Sequence, residues 1–293
     1  MPRVAVMVRR EVPPAEIRPL CIAVEDLGYD ELWVIEDCFW TTGIANAALA
    51  LGATRTAHVG IGILPAVLRN PALAAMEIAT LAGAFPGRLT AGFGPGVASW
   101  MKQVGAYPPS PLAALEATIT ATKTLLRGGT VPDEVRLEFP PDPVPAVLAG
   151  VGGPRGIELA GRAGDGAILA ECCPPGWVAA ARGMLTPGAQ LVVYAWLSVS
   201  AEGAAARAAL RPAVTDWLAR HRGRPAAKAA TFAAELDALG DGGVPDAWLD
   251  ELAVAGTPAV CHAAIERLGA AGADCVVLIP PLADPLEQLA LLR

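Results

Sequence analysis

Thr54 to Gly96 reads TRTAHVGIGILPAVLRNPALAAMEIATLAGAFPGRLTAGFGPG, and the way this stretch is punctuated decides the fold. The run His58 to Leu64 predicts a strand, Pro71 to Phe85 a helix opened by proline, and Arg88 to Phe93 a second strand. The same alternation continues outward on both sides. Before it come a strand at Arg3–Val8, a helix at Pro14–Leu27 stopped by Gly28, the strand ELWVIE at Glu31–Glu36 and a helix at Gly43–Ala53. After it come a helix at Pro111–Leu126, then strands at Pro145–Ala149, Gly166–Ala170 and Gln190–Val199, with helices at Gly156–Ala163 and Trp177–Leu185 between them. A long helical stretch, Ala201 to Leu252, is broken near Gly223–Pro225 and again near Gly240–Pro245. A helix at Thr257–Leu268 and a last strand at Asp274–Ile279 close the series.

Strands that alternate with helices call for a parallel sheet covered by helices. Eight of them in a chain of 293 residues predict an α/β fold, a (β/α)8 TIM barrel in one domain over residues 1–293, with a helical insertion before the last strand. An open, doubly wound sheet is the alternative that the pattern alone allows. VRLEF, Val135 to Phe139, reads as a candidate short extra strand in a connection too long for a minimal barrel.

The bulk composition narrows the function. The chain is 54% hydrophobic, yet no run of about 18 apolar residues occurs, so no membrane partner is expected. The apolar run Val4–Val8 is too short for a signal-peptide core, which leaves a cytoplasmic protein as the expectation. A net charge of −7 with no basic patch argues against nucleic acid. The six cysteines lack zinc or disulfide spacing, so no metal is expected.

In such a barrel the loops after the strands converge on one face and carry the site. GVGGPRG, Gly150 to Gly156, is a glycine-rich turn feeding a helix, where free amides favour an anion and Arg155 can add charge. It also reads as a tight strand-to-helix turn. No Walker lysine follows, and GFGPG, Gly92 to Gly96, lacks the third glycine of a dinucleotide fingerprint. His58, His221 and His262 are read as structural.

Four ordered blocks resemble the luciferase-like monooxygenase superfamily, in particular its deazaflavin (coenzyme F420)-dependent oxidoreductases. They are AVEDLGYDELWVIED (Ala23–Asp37), the stretch quoted first, VPAVLAGVGGPRGIELAGRAGDGAIL (Val144–Leu169) and AGTPAVCHAAIERLGAAGADCVVLIP (Ala255–Pro280). The resemblance implies F420 as cofactor, with FMN as the alternative, hydride transfer to a small unsaturated substrate, and a homodimer. It implies a cis peptide at Gly62–Ile63, beside Leu64, behind the cofactor ring. It places the cofactor phosphate at Val151, Gly152, Gly153, Pro154 and Arg155, with Gly94 and Gly96 nearby and Glu36 at the ring. Asp37 stands where many relatives carry a proton-transferring His, and Met7 where some present a carboxylate. Val97 replaces the Glu of relatives that oxidise sugar phosphates, so that activity is not expected.

Glu36, Asp37 and Cys38 are therefore the candidate catalytic groups. Met7, Phe39, Trp40, Trp100, Glu171 and Cys172 are the candidate substrate lining, and Trp177 is also placed near a loop mouth. Three other readings stay open: an FMN-dependent monooxygenase, a barrel that binds deazaflavin without turnover, and an unrelated barrel enzyme acting on a phosphorylated metabolite.

Overall fold

The computed structural model describes residues 1–238 and 243–293, so the helix break expected near Gly240–Pro245 lies partly outside the described residues. Among the described residues nine strands form: β1 Arg3–Met7, β2 Glu31–Val34, β3 His58–Pro65, β4 Leu89–Gly94, β5 Ala146–Gly150, β6 Gly166–Leu169, β7 Gln190–Val199, β8 Val254–Gly256 and β9 Cys275–Ile279. Every pairing between them is parallel, and the order β1 to β7 followed by β9 returns to β1. Eight strands thus close a barrel. The helices are α1 Pro14–Asp26, α2 Gly43–Ala53, α3 Pro71–Ala84, α4 Ala98–Gln103, α5 Pro111–Leu126, α6 Pro154–Ala163, α7 Pro175–Met184, α8 Gly203–His221, α9 Pro225–Lys228, α10 Asp246–Leu252, α11 Pro258–Ala270 and α12 Pro285–Leu292. Most begin on a proline, which gives up no hydrogen bond at a first helical position and presets φ there.

Four elements depart from the sequence reading. The short β8 lies between the expected helices at Ala201–Leu252 and Thr257–Leu268, where no strand was expected. It can pair because β7 outruns the barrel: Val192–Trp196 bind β9, and Leu197–Val199 continue outward to bind Val254–Gly256. VRLEF makes no strand; Val135 forms one isolated antiparallel bridge to Val131. The helices α4 and α12 also went unread, the first because GFGPG and its sequel look like loop.

The barrel interior is filled by unequal partners. Ala5, Trp33, Leu148, Ile168, Val192, Tyr194, Cys275, Val277 and Ile279 form an inner cluster, separate from the larger core between strands and helices. Trp33 needs the bare face of Gly60, where an added Cβ would fall 2.3 Å from its ring. The Trp33 Nε1 donates to Glu31 Oε1 at 2.8 Å, and Arg3 Nε donates to Glu31 Oε2 at 2.9 Å, which satisfies the closed lower end. His58, also at that end, holds Thr90 Oγ1 at 2.8 Å; His221 and His262 contact the carbonyls of Trp217 and Leu292.

Glu25 anchors the loop that enters β3. Its carboxylate accepts from the amides of Arg55, Thr56 and Ala57. Burial pushes the Glu25 carboxyl up, but the three amides and Arg55 outweigh it and hold it down at about 2. A depressed carboxyl stabilises the fold above its unfolded value near 4.5, and that gain is lost as pH falls toward 2. Glu25→Ala is expected to lower stability by about 2 kcal/mol at neutral pH, measured by urea denaturation. The difference from wild type should shrink below about pH 4; a constant difference down to pH 2 would refute the linkage.

Candidate active site

The segment after β2 turns sharply under ionic control. Glu36 is buried, and its Oε2 accepts the amide of Gly43, the first residue of α2, at 2.8 Å. Arg69 meets the same carboxylate with both terminal nitrogens, Nη1 to Oε1 at 2.5 Å and Nη2 to Oε2 at 2.7 Å. Arg69 Nε then reaches Glu77 on α3 at 2.9 Å. Both oxygens of Glu36 are thereby used as acceptors inside the protein. Glu36 ties the end of β2, the start of α2 and the loop after β3 together.

Asp37 faces the mouth. Its Oδ2 accepts from Arg10 Nη1 at 2.9 Å, and Arg10 in turn lies 5.6 Å over the Trp40 ring. Burial pushes the Asp37 carboxyl up and Glu11 adds to it; the Arg10 contact opposes, and the net direction is upward. The Cys38 thiol is also pushed up, by burial and then by Glu36 and Asp37, so it stays protonated rather than forming a nucleophilic thiolate. Phe39 and Trp40 are 68% and 56% exposed, two large apolar side chains presented to solvent at the rim. The Cys38–Phe39 peptide is cis.

The floor of the mouth is made by β3. Its register with β4 shifts between Ile61 and Leu64, and the Gly62–Ile63 peptide is cis. The Ile63 side chain lies across three glycines: a Cβ would come within 2.5 Å of it at Gly150 and 2.9 Å at Gly94, and 3.4 Å at Gly92. Gly62 is itself bare toward the barrel, where Tyr194 Oη is 2.3 Å from the place of a Cβ. Met7 and Trp196 are half-buried against the same inner cluster. Leu64 points the other way, fully buried in the outer core, which corrects its placement beside a ligand.

Next to Gly150 lies an open cradle. Gly152 and Gly153 precede α6, and a Cβ on either would meet nothing within 4 Å. Their amides donate to no acceptor among the described residues, whereas the amide of Val151 is taken by the Ile168 carbonyl at 3.1 Å. Val151 is buried and drops out of the cradle for that reason. Arg155, exposed in the first turn of α6, makes no hydrogen bond or ion pair among the described residues.

Of the expected substrate-lining residues, Glu171 is half-buried in the loop after β6 and Trp100 is half-buried on α4. Gly96 takes a positive φ of 72° in the turn between β4 and α4. Cys172 is wholly buried at a positive φ of 59°, and burial drives its thiol well up, so it lines nothing. Trp177 is core as well. Arg10, Arg69 and Tyr194 were missed. The alternation of QLVVYAWLSV, which puts Val192, Tyr194 and Trp196 on one face, was the available signal for the last.

Among the described residues, no helix is long and apolar enough to cross a membrane, and no cluster of metal-ligating side chains is assembled. The family model for luciferase-like monooxygenases matches residues 1–275. A 5,10-methylenetetrahydromethanopterin reductase of Methanolobus tindarius is 26% identical, over 94% of this chain and 93% of its own. Two solved structures share the fold across its length. One is the coenzyme F420-dependent tetrahydromethanopterin reductase of Methanopyrus kandleri, at TM-score 0.78 and 21% identity, covering 99% of this chain and 96% of that one. The other is an F420-dependent secondary alcohol dehydrogenase in complex with an F420–acetone adduct, at TM-score 0.79 and 20% identity, covering 100% and 99%.

Proposed function

This chain belongs to the luciferase-like monooxygenase family, and from that membership we propose that it is an oxidoreductase moving a hydride between coenzyme F420 and a small unsaturated organic substrate. Both solved neighbours described above are F420-dependent enzymes. The observation that carries the reading is the cradle at Gly152, Gly153 and Arg155. A cation at the start of a helix sits against the positive end of the helix dipole, an unfavourable place unless an anion joins it. Two open amides and an unpaired guanidinium beside bare glycines supply what a phosphate group takes.

The residues divide the work. Gly152, Gly153, Pro154 and Arg155 hold the phosphate of the cofactor, and the Gly62–Ile63 bulge, backed by Gly94 and Gly150, supports its ring. When bound, the deazaflavin supplies or accepts the hydride. Asp37 is the group at the mouth that hands over a proton; burial pushes its carboxyl up from the ordinary value, and the Arg10 contact opposes that shift. Phe39 and Trp40 cover an apolar substrate and limit water. Arg155→Ala is expected to weaken F420 binding about tenfold, read by quenching of tryptophan fluorescence; unchanged affinity would remove Arg155 from the phosphate site.

The same proposal includes a homodimer through α2 and α3. The outer helix α2, GIANAALALGA, has no charged residue, and the charge on α3, Glu77, is turned to Arg69. Leu73 and Met76 stand 47% and 56% exposed beside that uncharged face. Met76→Glu is expected to convert a dimer into a monomer in light scattering coupled to size exclusion. A wild-type monomer, or a variant that stays dimeric, would refute this interface.

A further inference from the structure

Tyr194 crosses the barrel. It stands on β7, four strands away from β3 in either direction around the ring, and still its hydroxyl abuts Gly62. The residue is only 5% exposed, and Oη has no hydrogen-bond partner among the described residues. Among the described residues two other buried side-chain atoms lack partners, Thr122 Oγ1 on α5 and Arg222 Nε just after α8, and neither belongs to the inner barrel cluster. A buried hydroxyl without a partner is rare in a native protein and calls for something to bond. Here it lies against the strand bulge at the floor of the mouth, with Trp33 packed edge-on at 5.9 Å to fix the ring. Burial, then Cys275, Glu31, Glu171 and Asp37, holds the phenol well above its ordinary pKa, so it is a neutral O–H and can donate.

We infer that the Tyr194 hydroxyl donates a hydrogen bond to the ring system of the cofactor seated on the Gly62–Ile63 bulge. This rests on the deazaflavin reading above. The hydroxyl lies on the barrel side of the bulge, so a ring resting there covers it, while a substrate stacked on the outer face of that ring is beyond its reach. Tyr194 is thus a binding residue beneath the ring, distinct from the phosphate cradle and from Asp37.

Tyr194→Phe tests this without changing packing, by titrating the whole protein with oxidised F420 and by thermal melting of the unliganded protein. The expected result has three parts. Affinity falls about tenfold, the visible absorption band of the bound deazaflavin differs from that in wild type, and the unliganded melting temperature is equal or higher because an unsatisfied hydroxyl is gone. Equal affinity and an identical band would overturn the inference while leaving the deazaflavin reading intact. A lower melting temperature with unchanged binding would assign Tyr194 a structural role and overturn it too. If wild type itself binds no F420, the reading under it fails, and the inference falls with it.

Discussion

Arg69→Ala is expected to cost the fold about 3–5 kcal/mol, because it leaves the Glu36 carboxylate buried with its bidentate partner gone. The loss should spread. Arg69 also holds Glu77 of α3, and Glu36 holds the first amide of α2, so two helices and the loop after the β3 bulge share one guanidinium. Urea denaturation checks the stability, and an F420 titration under fully folded conditions checks whether the bulge keeps its shape. Arg69→Lys should recover only part of the loss, since an ammonium cannot bond both oxygens in one plane. Glu36→Gln with Arg69→Ala together should be milder than Arg69→Ala alone, because no buried charge is then stranded. A single-variant loss below about 1 kcal/mol would place the pair among surface ion pairs that do little.

Asp37→Asn is expected to slow turnover about a hundredfold while leaving F420 affinity within a few-fold of wild type. An amide of the same shape keeps the contact with Arg10 but cannot deliver a proton. The pH dependence gives the sign. If Asp37 acts as the acid, the rate falls as pH rises through its pKa, and this limb is absent in the Asn variant. Arg10 pulls that pKa down against burial, so Arg10→Ala should move the limb to higher pH. Wild-type turnover by Asp37→Asn, or a limb that Arg10→Ala leaves in place, would take proton transfer away from Asp37. Cys38 offers no easy substitute, since its thiol is pushed up by burial and by the two neighbouring carboxylates.

The barrel was legible because its boundaries are written in local chemistry. Proline opens helix after helix, glycine closes α1, and β-branched runs fill the strands between, each a signal that needs no distant partner. The open turn at Gly152–Gly153 was likewise placed from contiguous residues, whereas the cis peptide at Gly62–Ile63 followed only from the family resemblance. What stayed hidden depends on residues far apart in the chain. The ion pair that joins Glu36 to Arg69, 33 positions later, cannot be read from either segment alone. Tyr194 looks like one more apolar strand residue until the barrel closes and sets it against Gly62. Cys172 looked like pocket lining because its loop reaches the mouth, but its backbone turns the thiol inward. The strand β8 was lost because three residues carry no periodicity to read.

The choice of cofactor is tested most directly by titrating the purified protein with F420 and, separately, with FMN, following tryptophan fluorescence, with Trp40, Trp100 and Trp196 close to the mouth as reporters. The expected result is saturable binding of F420 that Arg155→Ala weakens, with FMN bound far more weakly. Tight binding of FMN with no response to F420 would contradict it.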